Sequence, residues 1–170
     1  MIAGLILTSD GEKKCNIAFL GDKTETFSVK TNSEIVEKIE EFQPDIVAVN
    51  VSSEQSREEF TKGEKDLIES GYSFTPSSSE TKKVKRLQSL KAEIEHKTED
   101  LPDFIRFEPH ITSEELALDS DKSLESIGVS ADNIGSAKEF DAVVGAVTAR
   151  FYQQNQYRDL GVIVPESLDS

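Results

Sequence analysis

The first part of the chain contains three strand-like stretches with turn-forming residues between them. Ile2–Thr8 is a short apolar run, Lys14–Leu20 alternates loosely between apolar and polar residues, and Thr24–Val29 alternates clearly. The links between them contain Asp10-Gly11 and Gly21-Asp22, which are typical of tight turns between neighbouring strands. The pattern predicts three antiparallel strands connected as a meander.

The spacing of apolar residues then changes to that of a helix, followed by a buried strand. Asn32 is a candidate N-cap, and Pro44 ends the helix. The apolar residues on one face of this helix are Ile35, Val36, Ile39 and Phe42. The continuous apolar run Asp45–Val51 predicts a strand paired in parallel with a neighbour, reached by a right-handed crossover.

Two polar helices are predicted between about residues 53 and 97. The first lies within Ser53–Ser70 and stops at Gly71, and the second spans Thr81–Lys97. The second has a single apolar stripe, formed by Val84, Leu87, Leu90 and Ile94. Their polar character indicates a helical excursion on the outside of the sheet, which is a candidate contact surface for a protein partner.

The pattern after residue 98 predicts shorter elements. Pro102–Pro109 is typical of a strand bounded by prolines, and Ser113–Leu118 of a short helix with Ser113 as its N-cap. Asp119–Gly135 is polar and predicts an irregular segment. Asp159–Pro165 is rich in β-branched residues and predicts the last strand.

The segment Glu139–Phe151 is predicted to be the helix around which the domain packs. Ser136 is a candidate N-cap, and Glu139 completes a capping-box pattern three residues later. The apolar stripe of this helix is formed by Phe140, Val144, Val147 and Phe151. Small residues fill much of its remaining surface, namely Ala142, Gly145, Ala146 and Ala149. Other elements can therefore approach this helix closely from more than one side.

Asp141 interrupts this apolar helix and has two interpretations. In the first, it lies partly exposed near the positive end of the helix dipole, with a small stabilising effect. In the second, it points into a cleft beside the sheet and belongs to a functional site.

Composition limits the classes of function. The chain has 170 residues, which fits a single domain spanning 1–170, and its net charge is −14. Such acidity disfavours nucleic acid as a partner, because binding depends on neutralising phosphates with Lys and Arg. No apolar run is long enough for a membrane span, and the N-terminus lacks signal-peptide features, so we expect a cytoplasmic protein. The single cysteine, Cys15, excludes an intramolecular disulfide.

Four stretches together resemble a family of unknown function described as predicted nucleases of the ribonuclease H-like fold. They are Ile2–Ile6, Pro44–Asn50, the segment Glu64–Ser78 with its Gly-aromatic link, and Phe140–Ala149 followed by Gly161–Pro165. The resemblance implies an α/β fold with a mixed five-stranded sheet, made of three antiparallel strands plus parallel strands. Helices would cover both faces of this sheet, with a helical insertion.

The resemblance also implies a catalytic site in which clustered carboxylates hold two Mg²⁺ or Mn²⁺ ions. Three positions where the family carries acids have Ile6, Asn50 and Arg106 here, which leaves Asp141 as the one matching carboxylate. Asn50 can offer a carbonyl oxygen but no charge. Three loop acids could replace the missing ones: Asp10, Glu12 and Glu54.

Two hypotheses follow. The first is a catalytically degenerate ribonuclease H-like domain that binds a partner or supports an assembly, without a cofactor. The alternative is a nuclease that uses Mg²⁺ or Mn²⁺ with a rearranged site, in which Asp141 and Asn50 are catalytic and Asp141 is a metal ligand. The resemblance makes nucleic acid a possible partner, whereas the net charge opposes it.

Overall fold

The computed structural model describes residues 1–9, 13–52, 59–73, 76–98, 100–132 and 134–166. The strands are β1 (Ile2–Ile6), β2 (Cys15–Leu20), β3 (Thr24–Val29), β4 (Ile46–Val49), β5 (Asp103–Arg106), β6 (Tyr157–Asp159) and β7 (Ile163–Pro165). The α-helices are α1 (Asn32–Phe42), α2 (Lys62–Glu69), α3 (Thr81–Lys97), α4 (Pro109–Glu115), α5 (Asp121–Ser126) and α6 (Ala137–Gln153), and a 3-10 turn covers Ser77–Ser79. No helix in the described ranges is long and apolar enough to cross a membrane.

Five strands form the main sheet, in the order β3-β2-β1-β4-β5. Strands β1, β2 and β3 pair antiparallel, whereas β1 with β4 and β4 with β5 pair parallel. This arrangement confirms the predicted meander followed by a crossover strand. The carboxyl ends of β1, β4 and β5 consequently meet at one edge of the sheet.

Alternating side chains of β1 face two separate hydrophobic clusters. Ala3 and Leu5 lie on the face covered by α1 and α3, while Ile2 lies on the face covered by α6. The stripe of α3 is fully buried in the first of these layers, as its residues Val84, Leu87, Leu90 and Ile94 are at most 1% exposed. The segment predicted as an excursion therefore supplies core residues to the sheet.

Helix α6 is buried along most of its length. Every residue from Ala142 to Ala149 is buried, whereas Phe140 and Phe151 at the ends of the predicted stripe are only partly buried. Ser136 caps the helix as predicted, since its hydroxyl accepts the N–H of Glu139 at 3.2 Å. The Glu139 carboxylate accepts the N–H of Gly135 at 2.8 Å, one residue before the position that a capping box requires.

Short elements differ from the predictions. Helix α4 begins at Pro109, which suits the first helical position, so Ser113 is inside the helix and is not its N-cap. The segment predicted to be irregular contains α5, where Ser120 and Ser123 cap each other reciprocally. Strand β7 pairs only with β6, so the last strand belongs to a separate hairpin rather than to the main sheet.

Candidate functional site

Two glycines bring α6 into main-chain contact with β1. A Cβ added to Gly4 would overlap the carbonyl oxygen of Ala142 and the amide nitrogen of Ala146. A Cβ on Gly145 would lie 2.6 Å from Cζ of Phe107 and 3.0 Å from Cα of Gly4. The absence of side chains at these two positions sets the distance between helix and sheet, and so fixes where the first turns of α6 lie.

Asp141 lies on α6, one turn after the helix begins, and is half-buried. Burial raises the pKa of its carboxyl group above the ordinary value, and the nearby positive charge of His110 partly opposes this shift. Asp141 also lines a cleft of about 410 Å³ together with Asp119 and Asp121. The described lining of this cleft comes from α5, α6 and the segments before them and not from the sheet, so the assignment of Asp141 to a functional site stays a prediction.

Asn50 directly follows β4, and its side chain is bonded to the main chain of β1. Its Oδ1 accepts the N–H of Leu7 at 2.8 Å, and its Nδ2 donates to the carbonyl oxygen of Leu7 at 3.3 Å. The amide thereby continues the ladder between β1 and β4 beyond the last paired residues. The oxygen that could have served as a metal ligand already accepts a strong, short hydrogen bond.

Ile6 occupies the end of β1, where the resemblance implies a carboxylate. Its side chain is partly buried and packs against the same cluster as Phe140, on the α6 face of the sheet. An apolar contact thus lies between β1 and the start of α6. A carboxylate at this position would lose part of its hydration, which is unfavourable unless a metal ion or a hydrogen-bond donor stabilises its charge.

Arg106 points to the other face of the sheet, away from Asp141. Its Nη2 lies 3.3 Å from Glu64 Oε2 and 3.4 Å from Glu108 Oε1, and the Arg106 side chain is 7% exposed. Glu80, directly before α3, also contributes charge to this group, together with Lys83 of α3. We call Arg106, Glu64, Glu80 and Glu108 the buried charge cluster.

The pKa values of two carboxyl groups in the buried charge cluster, those of Glu108 and Glu80, are shifted upwards. Burial raises the pKa of Glu108 from 4.5 to about 7, even though the positive charge of Arg106 acts in the opposite direction. Burial likewise raises the pKa of Glu80. Oε2 of Glu80 and Nε of Arg106 are buried without a hydrogen-bond partner among the described residues. The cluster contains more carboxylates than Arg106 alone can neutralise, which favours protonation of at least one of them.

The sequence analysis did not identify most of these neighbours. Glu108 could have been found, because it lies two positions after Arg106 on the same side of an extended segment. Glu64 and Glu80 reach Arg106 from helices distant in sequence, and His110 reaches Asp141 from α4. No local pattern signals contacts of this kind. The predicted loop acids Asp10, Glu12 and Glu54 lie outside the described residues.

The described residues do not fit a two-metal site. Among them, no group of three or more His, Cys, Asp or Glu side chains is arranged to hold a metal ion. Asp141 provides one carboxylate, Asn50 is bonded to Leu7, and Ile6 is apolar. Mg²⁺ and Mn²⁺ prefer several oxygen ligands, with carboxylates supplying the charge.

Comparison with known proteins supports the fold. No family model matches the chain, and no curated protein matches it either. The chain has the ribonuclease H-like fold, since two similar solved structures share that architecture over nearly the whole chain. These structures are the RuvC protein of Thermus thermophilus in complex with a Holliday junction substrate and RuvC of the same organism.

The likeness is one of architecture rather than of sequence. The complex superposes with a TM-score of 0.54 at 16% identity, and the second structure with 0.54 at 14%. In both cases 96% of this chain and 98% of the other chain are covered. The predicted α/β ribonuclease H-like fold is thereby confirmed.

Proposed function

We propose that this chain is a catalytically degenerate ribonuclease H-like domain that acts as a binding or assembly module. The observation that carries this proposal is the pairing of the Asn50 amide with both main-chain groups of Leu7. The two hydrogen bonds hold the amide against β1, and they leave Oδ1 only one lone pair, without negative charge, to offer a metal ion. Ile6 and Arg106 support the same conclusion, because one is apolar and the other is bonded to carboxylates on the opposite face.

The proposed partner is a protein rather than nucleic acid. The net charge of −14 repels phosphate. Four basic residues lie close together at the start of α3, namely Lys82, Lys83, Lys85 and Arg86, and of these Arg86 is engaged within the fold. Its guanidinium donates to Thr8 O at 2.8 Å and to Lys30 O at 2.7 Å. The RuvC structure contains a Holliday junction, and binding of such a ligand depends on basic residues that neutralise its phosphates. The net negative charge of this chain disfavours binding of that kind. The polar faces of α2 and α3, within the segment 53–97, remain our candidate contact surface for this partner.

A single domain over 1–170 and a cytoplasmic location complete this proposal. The hydrophobic cluster on the α6 face draws residues from Ile2 to Ile163, which supports one folding unit.

The decisive experiment is a cleavage assay on the purified full chain. Single-stranded, double-stranded, hybrid and four-way-junction substrates would be incubated with Mg²⁺ or Mn²⁺. We expect no cleavage above that of buffer. The proposal would be overturned by cleavage that is lost in Asp141→Asn and kept in the control Asp66→Asn. Asp66 serves as the control because it is an exposed acid on α2.

A second candidate function is a divalent-metal-dependent nuclease with a rearranged carboxylate site. The observation in its favour is that Asp119 and Asp121 line the same cleft as Asp141, with His110 close enough to influence its pKa. Titration with Mn²⁺ followed by NMR would test this function, because a bound Mn²⁺ ion would broaden the signals of Asp119, Asp121 and Asp141. Broadening of all three together with cleavage would favour the nuclease, whereas unchanged signals would favour the binding module.

A further inference from the structure

Strand β5 forms one edge of the main sheet, and one side of its main chain has no partner. The N–H of Asp103 donates to Asp45 O at 2.9 Å, and the N–H of Phe107 donates to Val49 O at 3.0 Å. Because bonding alternates along a parallel strand, the N–H and C=O groups of Phe104 and Arg106 point away from β4. No residue in the described ranges pairs with these main-chain groups.

This free edge lies along a groove of about 240 Å³. All four residues of β5 line the groove, with Leu87 of α3 on one side. The other side is formed by Tyr152, at the end of α6, and by Asp159 and Ile163 of the β6–β7 hairpin. Its volume is below the roughly 300–1,000 Å³ typical of small-molecule pockets, which favours a narrow main chain as the occupant. We call this feature the β5 groove.

The charged groups at the surface of the β5 groove are acidic. Asp103 accepts a hydrogen bond from the Tyr152 hydroxyl at 3.0 Å, and the Asp159 carboxylate accepts the N–H of Gly161 at 2.9 Å. Arg106 does not neutralise them, because its guanidinium is buried against Glu64 and Glu108. The groove therefore attracts a basic occupant, and it repels a second copy of this chain with its net charge of −14.

We propose that the β5 groove binds an extended segment of a partner protein that carries Lys or Arg residues. The segment adds to the sheet as a sixth strand and pairs with the main-chain groups of Phe104 and Arg106. Its basic side chains lie beside Asp103 and Asp159. This inference rests on the proposed binding role. It adds a second contact surface to the polar faces of α2 and α3, and it gives the chemistry of the segment that binds there.

Amide hydrogen exchange followed by NMR tests the strand addition. The probe is a synthetic peptide of alternating lysine and valine, added in excess to the full chain. We expect exchange at Phe104 and Arg106 to slow at least about tenfold, because their N–H groups gain partners, with little change at Asp103 and Ile105. The control is the same peptide with alternate amides N-methylated, which cannot pair. Equal protection by both peptides, or none with millimolar unmodified peptide, would overturn the proposal.

Charge variants test the chemistry of the partner. Asp103→Asn combined with Asp159→Asn keeps oxygen acceptors for Tyr152 and Gly161 while removing both charges. We expect about fivefold weaker peptide binding. The matched control, Asp22→Asn with Asp132→Asn, changes the net charge equally at exposed sites outside the groove and outside α2 and α3, and should bind normally. Equal weakening of both double variants would reject specific recognition of the basic side chains.

Two further outcomes have distinct meanings. Protection of Phe104 and Arg106 that rises with protein concentration, without peptide, would assign the groove to a second copy of the chain and overturn the proposal. Failure of the peptide to bind would remove this interface, whereas nuclease activity dependent on Asp141 would overturn the proposed function. The peptide and cleavage experiments can therefore fail independently.

Discussion

At the scale of single residues, Asn50 has a structural role in the sheet, and its catalytic role stays a prediction. Its side chain bonds both main-chain groups of Leu7 and so continues the ladder between β1 and β4. The structural role could not be predicted from the sequence, because it depends on how far β1 extends beyond its paired residues. Asp141 lines a cleft formed by α5, α6 and the segments before them rather than by the sheet, and its role in a functional site also stays a prediction.

Asn50→Ala tests the structural role. We expect a loss of about 1–3 kcal/mol in the free energy of unfolding, because the N–H and C=O of Leu7 lose their partners. Urea denaturation followed by circular dichroism would measure it. A variant as stable as the native chain would contradict the structural role and return Asn50 to consideration as a ligand.

Gly4→Ala should have a larger effect. The added Cβ would overlap the main chain of α6, which cannot move aside as a flexible side chain can. We expect a loss of at least about 3 kcal/mol, or failure to fold. Gly135→Ala is the matched control, since its Cβ would meet only the Glu139 carboxylate at 3.7 Å or more. Similar unfolding midpoints in denaturant for the two variants would contradict the close contact between β1 and α6.

At the scale of elements, the buried charge cluster connects α2, α3 and β5. It holds Glu64 and Arg106 almost completely out of solvent, so its energetics depend on which carboxylates are protonated.

The sequence predicted the α3 helix and its buried stripe correctly, because seventeen residues provide several repeats of one period. It missed α5 and misplaced α4, since six or seven residues provide hardly two turns.

The pKa of Glu108 predicts a dependence of stability on pH. Its folded-state pKa is about 7 against an ordinary value of 4.5, so the folded state binds the proton more tightly than the unfolded state. The stabilisation is fully present below pH 4.5 and is lost as the pH rises towards 7. We expect this contribution to reach up to about 3 kcal/mol.

Glu108→Gln should flatten the stability profile between pH 4.5 and 7, as measured by urea denaturation at several pH values. The comparison uses the slope of unfolding free energy against pH. Loss of the Glu108 titration changes this slope, whereas the altered contact with Arg106 shifts the free energy equally at every pH. Glu114→Gln, at an exposed position on α4, should keep the native slope. An unchanged slope in Glu108→Gln would show that other groups cause the pH dependence.

At the scale of the whole molecule, chain order predicted the topology well. Three short strand-like stretches separated by turn residues, an amphipathic helix and an apolar run predict the meander and crossover without knowledge of any contact. The hairpin β6–β7 was not predicted because Tyr157–Asp159 contains only three residues. The pairing of strands that are distant in sequence, such as β4 with β5, follows from packing and leaves no local pattern.

The net charge predicts weak interaction with DNA. At physiological salt we expect no saturable binding of duplex or four-way-junction DNA below about 100 μM, because few counterions would be released. Fluorescence anisotropy with labelled DNA would measure this, with salt varied in each titration. Tight binding with a steep dependence on salt would contradict the prediction and reveal a basic surface that the overall charge conceals.

The contact between Gly4 and Gly145 also limits how the molecule can move. Main chains that touch cannot slide or roll past each other without separating, so α6 and β1 behave as one rigid body. Widening of the cleft beside Asp141 must then come from its opposite wall, where Asp119 and Asp121 lie at the start of the short helix α5. A hinge located there would alter the size of the cleft while leaving the sheet and its central helix unchanged.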